Sequence, residues 1–445
     1  MAVLLPLRDG LEPMKSGALI LGGGLAGLSA AFHLKRPCVI LERNKDPGGL
    51  VATVRYGEFL FDVAPHVFFT DDDYALSLFV HLVGESHVLV HDQNSRVYLN
   101  GVLSRFPIQA SLYGQPPEVV ADCLDGLADA LHSPNIAVPT DFRQWVLGFF
   151  GWGIGKHFLF PYNTKLWGAQ PEELSPDWTD GKIVKVSFRE AVIGAVSDRS
   201  LERYANKTFR YPATGGISTL PRAFAAQLTG LRPKTEVVEI DLHRKEARTA
   251  AGEAFSYEAA VWTLPLHLVG TLVRDLPNDV LDAARALRYR RVVCVFVGLD
   301  RPLAEPWHWT YFSEEKYPFY RVSFPHAFSP AMVPRDKASM CAEVSIPSGG
   351  VPDLETIKES VLAGMERATL LHQGERPCLV ETAIMDPAYV VHDHKRDAAV
   401  RGVTDYLQKC QVFPAGRFGE WAFINMDQTI LSGRQAADQV NGVLG

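Results

Sequence analysis

Cysteine is scarce and scattered: Cys38, Cys123, Cys294, Cys341, Cys378 and Cys410 never form a Cys-x-x-Cys pair in 445 residues. That spacing argues against a zinc site or a disulfide framework and makes most of them small buried hydrophobes. No metal is expected. Long apolar runs are also missing: nothing approaches the about 18 residues of a membrane span. The N-terminal apolar stretch (MAVLLPL) is too short for a signal peptide and acidic residues follow it, so a cytoplasmic location is the default expectation. Surplus positive charge is absent too. The formal net charge of -7 argues against a nucleic-acid partner. It leaves room for a local basic pocket that takes a small anion. Repeats, low-complexity tracts and long linkers are not found. What remains is an ordinary globular composition, 47% hydrophobic and 21% charged, long enough for two or three domains.

The first ordered pattern is a βαβ opening. Residues 17–22 (GALILG) read as a buried parallel strand, a Gly-rich turn follows, and an apolar helix runs to about Leu34. Residues 37–42 (PCVILE) read as the second strand. Segment 95–109 alternates like a hairpin with Asn100-Gly101 as its turn. Residues 115–160 read as amphipathic helix and 161–178 as a polar-aromatic stretch rich in turn residues. Residues 211–216 form a loop before a helix from about Leu220. Further strands are expected within 237–265 and at 292–299 and 341–345, with helices at 352–372 and from Met426 to the end.

Gly22, Gly24 and Gly27 fit G-x-G-x-x-G between that strand and helix. Gly22 permits the tight turn, Gly24 lets backbone approach a pyrophosphate, and Gly27 allows close helix–strand packing. The helix N-terminus offers free N–H groups to phosphate. Glu42 ends the second strand, where ribose recognition requires an acid. Gly48 and Gly49 add a second close backbone approach, and GRFGEWAFINMDQT leads into a closing helix that can return to a flavin; FAD is therefore favoured over NAD. Val238 is placed with the cofactor. The expected fold is α/β: a Rossmann-like FAD-binding domain in discontinuous segments (1–95, 205–265, 385–445) plus a mixed helical and antiparallel-sheet substrate domain (96–204, 266–384). Its helical part spans about 115–204.

Several motifs together carry a resemblance: GGGLAGLSAA (22–31), PGGL (47–50), FDVAPHVFF (61–69), GIGKHFLFPYNTKLW (153–167), PFYR (318–321) and GRFGEWAFINMDQT (416–429). The sequence resembles UDP-galactopyranose mutases, within the wider group of flavin amine oxidases and protoporphyrinogen oxidase. The first two motifs belong to the wider group; PYNTKLW and PFYR look more specific to the mutases. The resemblance implies interconversion of the pyranose and furanose forms of a UDP-galactose-like substrate through a reduced-flavin N5 adduct, with no net redox change. A UDP- or dTDP-sugar is the implied substrate. NADPH or NADH is a candidate external reductant, and no dedicated nicotinamide domain is expected, because no second G-x-G-x-x-G is present. The wider group implies an alternative, an amine oxidase or desaturase.

The resemblance also implies roles for single residues. His66 matches a histidine beside the flavin ring, although Ala64 and Pro65 replace the two glycines that precede it in the family. Arg321 matches an arginine on the substrate diphosphate, where a planar guanidinium makes bidentate bonds. Lys182 stands nearest to the second phosphate arginine. Arg417 is expected near the flavin or its pyrophosphate. The segment Met426, Asp427, Gln428 and Thr429 opens a helix whose N–H groups face the reduced flavin's N1/O2 edge. Tyr162, Trp167, Tyr320, Tyr389 and Trp421 are candidate substrate contacts. Trp421 and Phe423 stand where mutases carry tyrosines, which makes that wall less able to hydrogen-bond phosphate.

Overall fold

The computed structural model describes residues 13–132, 138–198, 207–303 and 307–445. The N-terminal apolar run, residues 133–137 and 199–204 of the expected helical block, and residues 205–206 of the second cofactor segment lie outside the described residues.

Apolar strand runs dictate the first sheet. GALIL, CVIL and AAVW are buried on both faces, the habit of parallel strands covered by helices. Met14–Leu21 pairs in parallel with Ala254–Trp262 on one side and Cys38–Leu41 on the other. Val237–Asp241 and Glu246–Thr249 extend one edge, Leu231–Arg232 the other, and Val412–Pro414 joins Ala254–Trp262 in parallel. Helix Leu25–His33 covers this sheet and packs on the C-terminal helix Met426–Leu444. Small residues let the two helices meet. Ser29 Oγ donates to Ile430 O at 2.6 Å, and a Cβ on Gly433 would sit 2.4 Å from Ala26 O.

A second, seven-stranded sheet runs in the order Leu379–Val390, Tyr289–Leu299, Ala338–Pro347, Arg321–Ser323, Trp309–Phe312, Ser95–Leu99, Val102–Arg105. Asn100 and Gly101 form its expected hairpin turn, both with positive φ, 53° and 78°. Helices Pro117–His132 and Phe142–Ile154 pack together beside it.

The Rossmann-like layer and the helical plus antiparallel layer expected from the sequence are both present. One local expectation needs correction. The turn-rich reading of 161–178 fails at its start, where Phe160–Trp167 is an α-helix continuing a π-turn at Gly155–Leu159. Pro161 sits just after the join with that π-turn, and Leu166 and Trp167 supply the buried face.

Candidate active site

A cavity of about 1740 Å³ opens between the two sheets. Ligand pockets usually run roughly 300–1,000 Å³, so this one has room for a cofactor and a second ligand. One end is the Gly-rich turn. Gly22 and Gly24 line it, and helix Leu25–His33 begins at Gly24 with no side-chain cap. A Cβ added to Gly24 would meet only Gly49 Cα, at 4.0 Å, and would otherwise project into open space. Uncapped N–H groups behind a space that a side chain would fill are what a pyrophosphate needs. Gly27 does not line the cavity. Its Cβ would lie 2.1 Å from Gly22 O, so its role is the close packing expected.

Glu42 lines the same end and is 4% exposed. Its carboxylate accepts from Gly23 N at 2.8 Å and Asn44 N at 2.7 Å. Gly49 lines the cavity, as does Gly48, whose backbone N donates to Gly23 O at 2.8 Å. Val238 does not: it is 44% exposed, and its neighbour Val237 lines the cavity instead. Strand alternation places adjacent side chains on opposite faces, so the expectation was off by one residue.

The middle of the cavity is walled by Val63 to Val67 and by Ala415 to Phe418. The Ala64-Pro65 replacement has a backbone consequence: Ala64 stands at φ 63°, where an L-residue is strained and glycine is not. Its carbonyl receives the Nδ1–H of His66 at 3.1 Å. Burial, then the positive charges of Arg417 and Arg321, push His66 down to about 4. The ring is therefore neutral near pH 7, with Nδ1 as donor and Nε2 as acceptor.

The far end is cationic in an acidic chain. Arg321 lines it, held bidentate by Glu343 (Nε–Oε1 2.6 Å, Nη2–Oε2 2.8 Å). Burial works against its charge, and Glu343 outweighs burial, raising its pKa well above the usual arginine value. Arg417 also lines the cavity and donates to Ile424 O at 3.0 and 2.7 Å. Lys182 lines it and donates to Asn425 Oδ1 at 3.1 Å. Burial and then Arg417 lower Lys182 to about 8. Among the described residues neither Arg417 nor Lys182 has a carboxylate within ion-pair distance. Both lie over the ring of Phe423, at 5.2 and 5.1 Å from its centroid. Arg417 thus belongs to the cationic end of the cavity as much as to its middle wall.

The remaining aromatic candidates divide. Tyr389 lines the cavity. Tyr320 does not; it is 1% exposed, and its hydroxyl donates to Glu343 Oε2 at 2.6 Å behind Arg321. Tyr162 packs edge-on against Tyr311, which does line the cavity. Trp167 is fully buried, backs Phe423 and Tyr389, and donates through its indole N–H to Asn163 at 3.2 Å. Trp421 is fully buried against His267 and Tyr289, and its carbonyl accepts from Arg396. The expected direct contacts from Tyr162, Trp167, Tyr320 and Trp421 are therefore corrected: these residues support the wall and do not form it. Large rings with little exposed surface are held by core packing.

At the closing helix, Met426 and Thr429 line the cavity while Asp427 and Gln428 do not. Residues three apart share a helix face, and the two between them turn away. Gln428 instead accepts from Asn425 N at 3.1 Å as a cap. Glu343 was missed altogether. Its signal was a single acid inside the apolar run MCAEV on an expected strand.

Comparison with known proteins follows this geometry. The family described as flavin containing amine oxidoreductase matches residues 25–330. Among solved structures, the chain superposes on a reduced UDP-galactopyranose mutase with a TM-score of 0.90 at 24% identity, covering 96% of each chain. A candidate protoporphyrinogen oxidase from Exiguobacterium sp. 255-15 gives a TM-score of 0.72 at 17% identity, covering 97% of this chain and 99% of that one. Wild-type putrescine oxidase bound to putrescine gives 0.63 at 13%, covering 96% and 99%. At such identities these likenesses speak for the fold.

Proposed function

The chain belongs to the flavin containing amine oxidoreductases, and from that premise we propose that it is a sugar-nucleotide mutase acting with reduced FAD on a UDP-galactose-like substrate. The observation that carries this reading is the pair Arg417 and Lys182, cations without a carboxylate partner among the described residues, beside Arg321 at one end of the cavity. An acidic protein of net charge -7 gains nothing from burying unpaired cations unless an anion joins them. A substrate amine would meet repulsion there.

In this reading the N–H groups at Gly24 to Ala26 hold the FAD pyrophosphate and Glu42 receives the ribose. The walls at Val63 to His66 and Ala415 to Arg417, with Met426 and Thr429, enclose the ring. Reduced FAD, when bound, supplies the nucleophile for the anomeric carbon. Arg417, Lys182 and Arg321 hold the departing nucleoside diphosphate, and their attraction grows as its negative charge develops. Glu343 orients Arg321. Neutral His66 offers a lone pair at Nε2 without adding a further positive charge beside the two arginines. Phe423 and Tyr389 give the sugar or base an apolar face.

The test is chemical. Dithionite-reduced holoprotein, kept anaerobic, is incubated with UDP-galactopyranose and separately with UDP-galactofuranose, and the mixtures are separated by chromatography. Approach to one equilibrium from both sides is expected. No interconversion of several UDP- and dTDP-hexoses, together with oxygen-dependent turnover of an amine, would replace this reading with the oxidase one.

A further inference from the structure

We propose that Lys165 is a positioning residue for Arg321: its ammonium gathers the carbonyls of the hairpin loop 313–320 and so fixes the strand start from which Arg321 faces the cavity. Arg321 is the first residue after that loop, paired with Tyr311 across the hairpin. Lys165 comes from helix Phe160–Trp167, on the other side of the loop, and does not line the cavity.

Four backbone carbonyls converge on one nitrogen. Lys165 Nζ donates to Glu314 O at 2.7 Å, Tyr317 O at 2.9 Å, Phe312 O at 3.1 Å and Phe319 O at 3.4 Å. An ammonium has three N–H groups, so three carbonyls are served fully and the longest shares. Side-chain packing holds the loop's rings, with Tyr317, Phe319 and Tyr320 buried, and Ser313 Oγ donates to His157 O at 3.2 Å while Arg367 donates to Lys316 O at 2.6 Å, but none of these bonds satisfies the carbonyls that face Lys165. Its backbone bonds include Tyr317 N to Glu314 O at 3.2 Å, Phe312 N to Tyr320 O at 2.9 Å and Tyr320 N to Glu343 O at 3.0 Å. A neutral side chain at 165 would leave inward-facing carbonyls opposed and partly desolvated.

Among the described residues no carboxylate lies within ion-pair distance of Lys165. Glu314 pairs with Lys316 at 2.8 Å and accepts from Asn100 N at 3.2 Å, while its main-chain oxygen goes to Lys165. Burial lowers Lys165 to about 8, with Glu314 and Glu315 pulling the other way. The fold thus keeps a cation where burial disfavours it. The helix that carries it is itself anchored, since Ser345 Oγ donates to Leu166 O at 2.8 Å and Trp167 is fully buried. A continuous path runs from that helix through the loop to the guanidinium.

The ligand used to read this out rests on the function proposed above, so two measurements are paired. Holoprotein is prepared as wild type, Lys165→Met, Arg321→Ala and the double variant. UDP dissociation constants are measured with the flavin reduced, and amide hydrogen exchange over 312–321 is followed without ligand. Lys165→Met is expected to retain FAD, to speed exchange over 312–321 roughly tenfold or more, and to weaken UDP by a similar factor. The double variant is expected to bind UDP no worse than Arg321→Ala, because a residue acting only through Arg321 has nothing further to lose. Unchanged exchange and affinity in Lys165→Met, or additive losses in the double variant, overturn the inference. If wild type binds no UDP, the functional reading falls and the exchange measurement alone decides the role of Lys165. Should Lys165→Met not accumulate, Lys165→Arg, which keeps charge and donors, is expected to hold exchange near wild type; exchange rising there counts against the cage.

Discussion

Arg321 keeps its place because Glu343 is fully buried beneath it and accepts from two of its guanidinium nitrogens, Nε and Nη2. Tyr320 donates a third bond to the same carboxylate. Removing one partner of a buried ion pair strands the other charge, which costs far more than the pair contributes on balance. Glu343→Ala is expected to lower stability by about 3–5 kcal/mol in chemical denaturation, more than an exposed pair such as Arg105–Asp198 could account for. A change below about 1 kcal/mol would mean that Arg321 relaxes to solvent and is not fixed in the wall. The same logic separates Arg321 from Arg417 and Lys182. The first has its counter-charge built in; the other two have no carboxylate within ion-pair distance among the described residues, and the proposed function assigns them to the ligand.

At the scale of elements, the junction of strand Met14–Leu21 and helix Leu25–His33 does two separable jobs. Gly27 serves packing, and any side chain there would strike Gly22 O. Gly24 has φ -69° and ψ 175°, an extended conformation open to any residue, and open space beyond its Cα. Gly24→Val should therefore fold and yet bind FAD at least about tenfold more weakly, read as lost flavin absorbance with far-UV dichroism retained. Retained flavin would show that the pyrophosphate lies elsewhere. This junction was legible in the sequence because glycine spacing, strand and helix are all local. Lys182 and Arg321 were legible as charged residues in or near short motifs, and both line the cavity. The misses share one physical cause. Val238 against Val237 and Gln428 against Thr429 are choices of face. A face is set by which side of an element the rest of the chain covers, a long-range property absent from a local window. Glu343 was invisible as a partner for the same reason: its strand pairs with residues 321–323 only in the folded sheet.

For the whole molecule, buried groups fix how stability responds to acid. Burial, helped by Arg417 and Arg321, holds His66 at about 4; burial, helped by His91, holds His308 at about 4. Both lie below the ordinary 6.5, so from about 6.5 down to about 4 the unfolded chain takes up protons that the folded chain refuses. Stability contributed by these histidines is full above 6.5 and is lost on acidification. His33, His267 and His326 are displaced in the same direction, mainly by burial. Asp62 opposes them: burial raises it to about 6 despite bonds from Tyr211 and Thr53, so its folded form takes up a proton first. Glu420, raised by burial, acts with Asp62. Two strongly shifted histidines against one strongly shifted aspartate leave a net loss of stability on acidification through the shared range. Denaturant midpoints recorded from pH 6.5 to about 4.5 should fall accordingly; a flat profile would mean that these rings reach water.

A chain of net charge -7 lines this cavity with Arg417 and Lys182, two cations that have no carboxylate within ion-pair distance among the described residues. The most direct measurement compares UDP with uridine on reduced holoprotein, wild type and Arg417→Ala/Lys182→Met, by tryptophan fluorescence titration. UDP is expected to bind wild type at least about tenfold more tightly than uridine, and the double substitution is expected to erase that preference while FAD stays bound. Equal binding of the two ligands by wild type, or no binding of either, would contradict a cavity built to grip a nucleoside diphosphate.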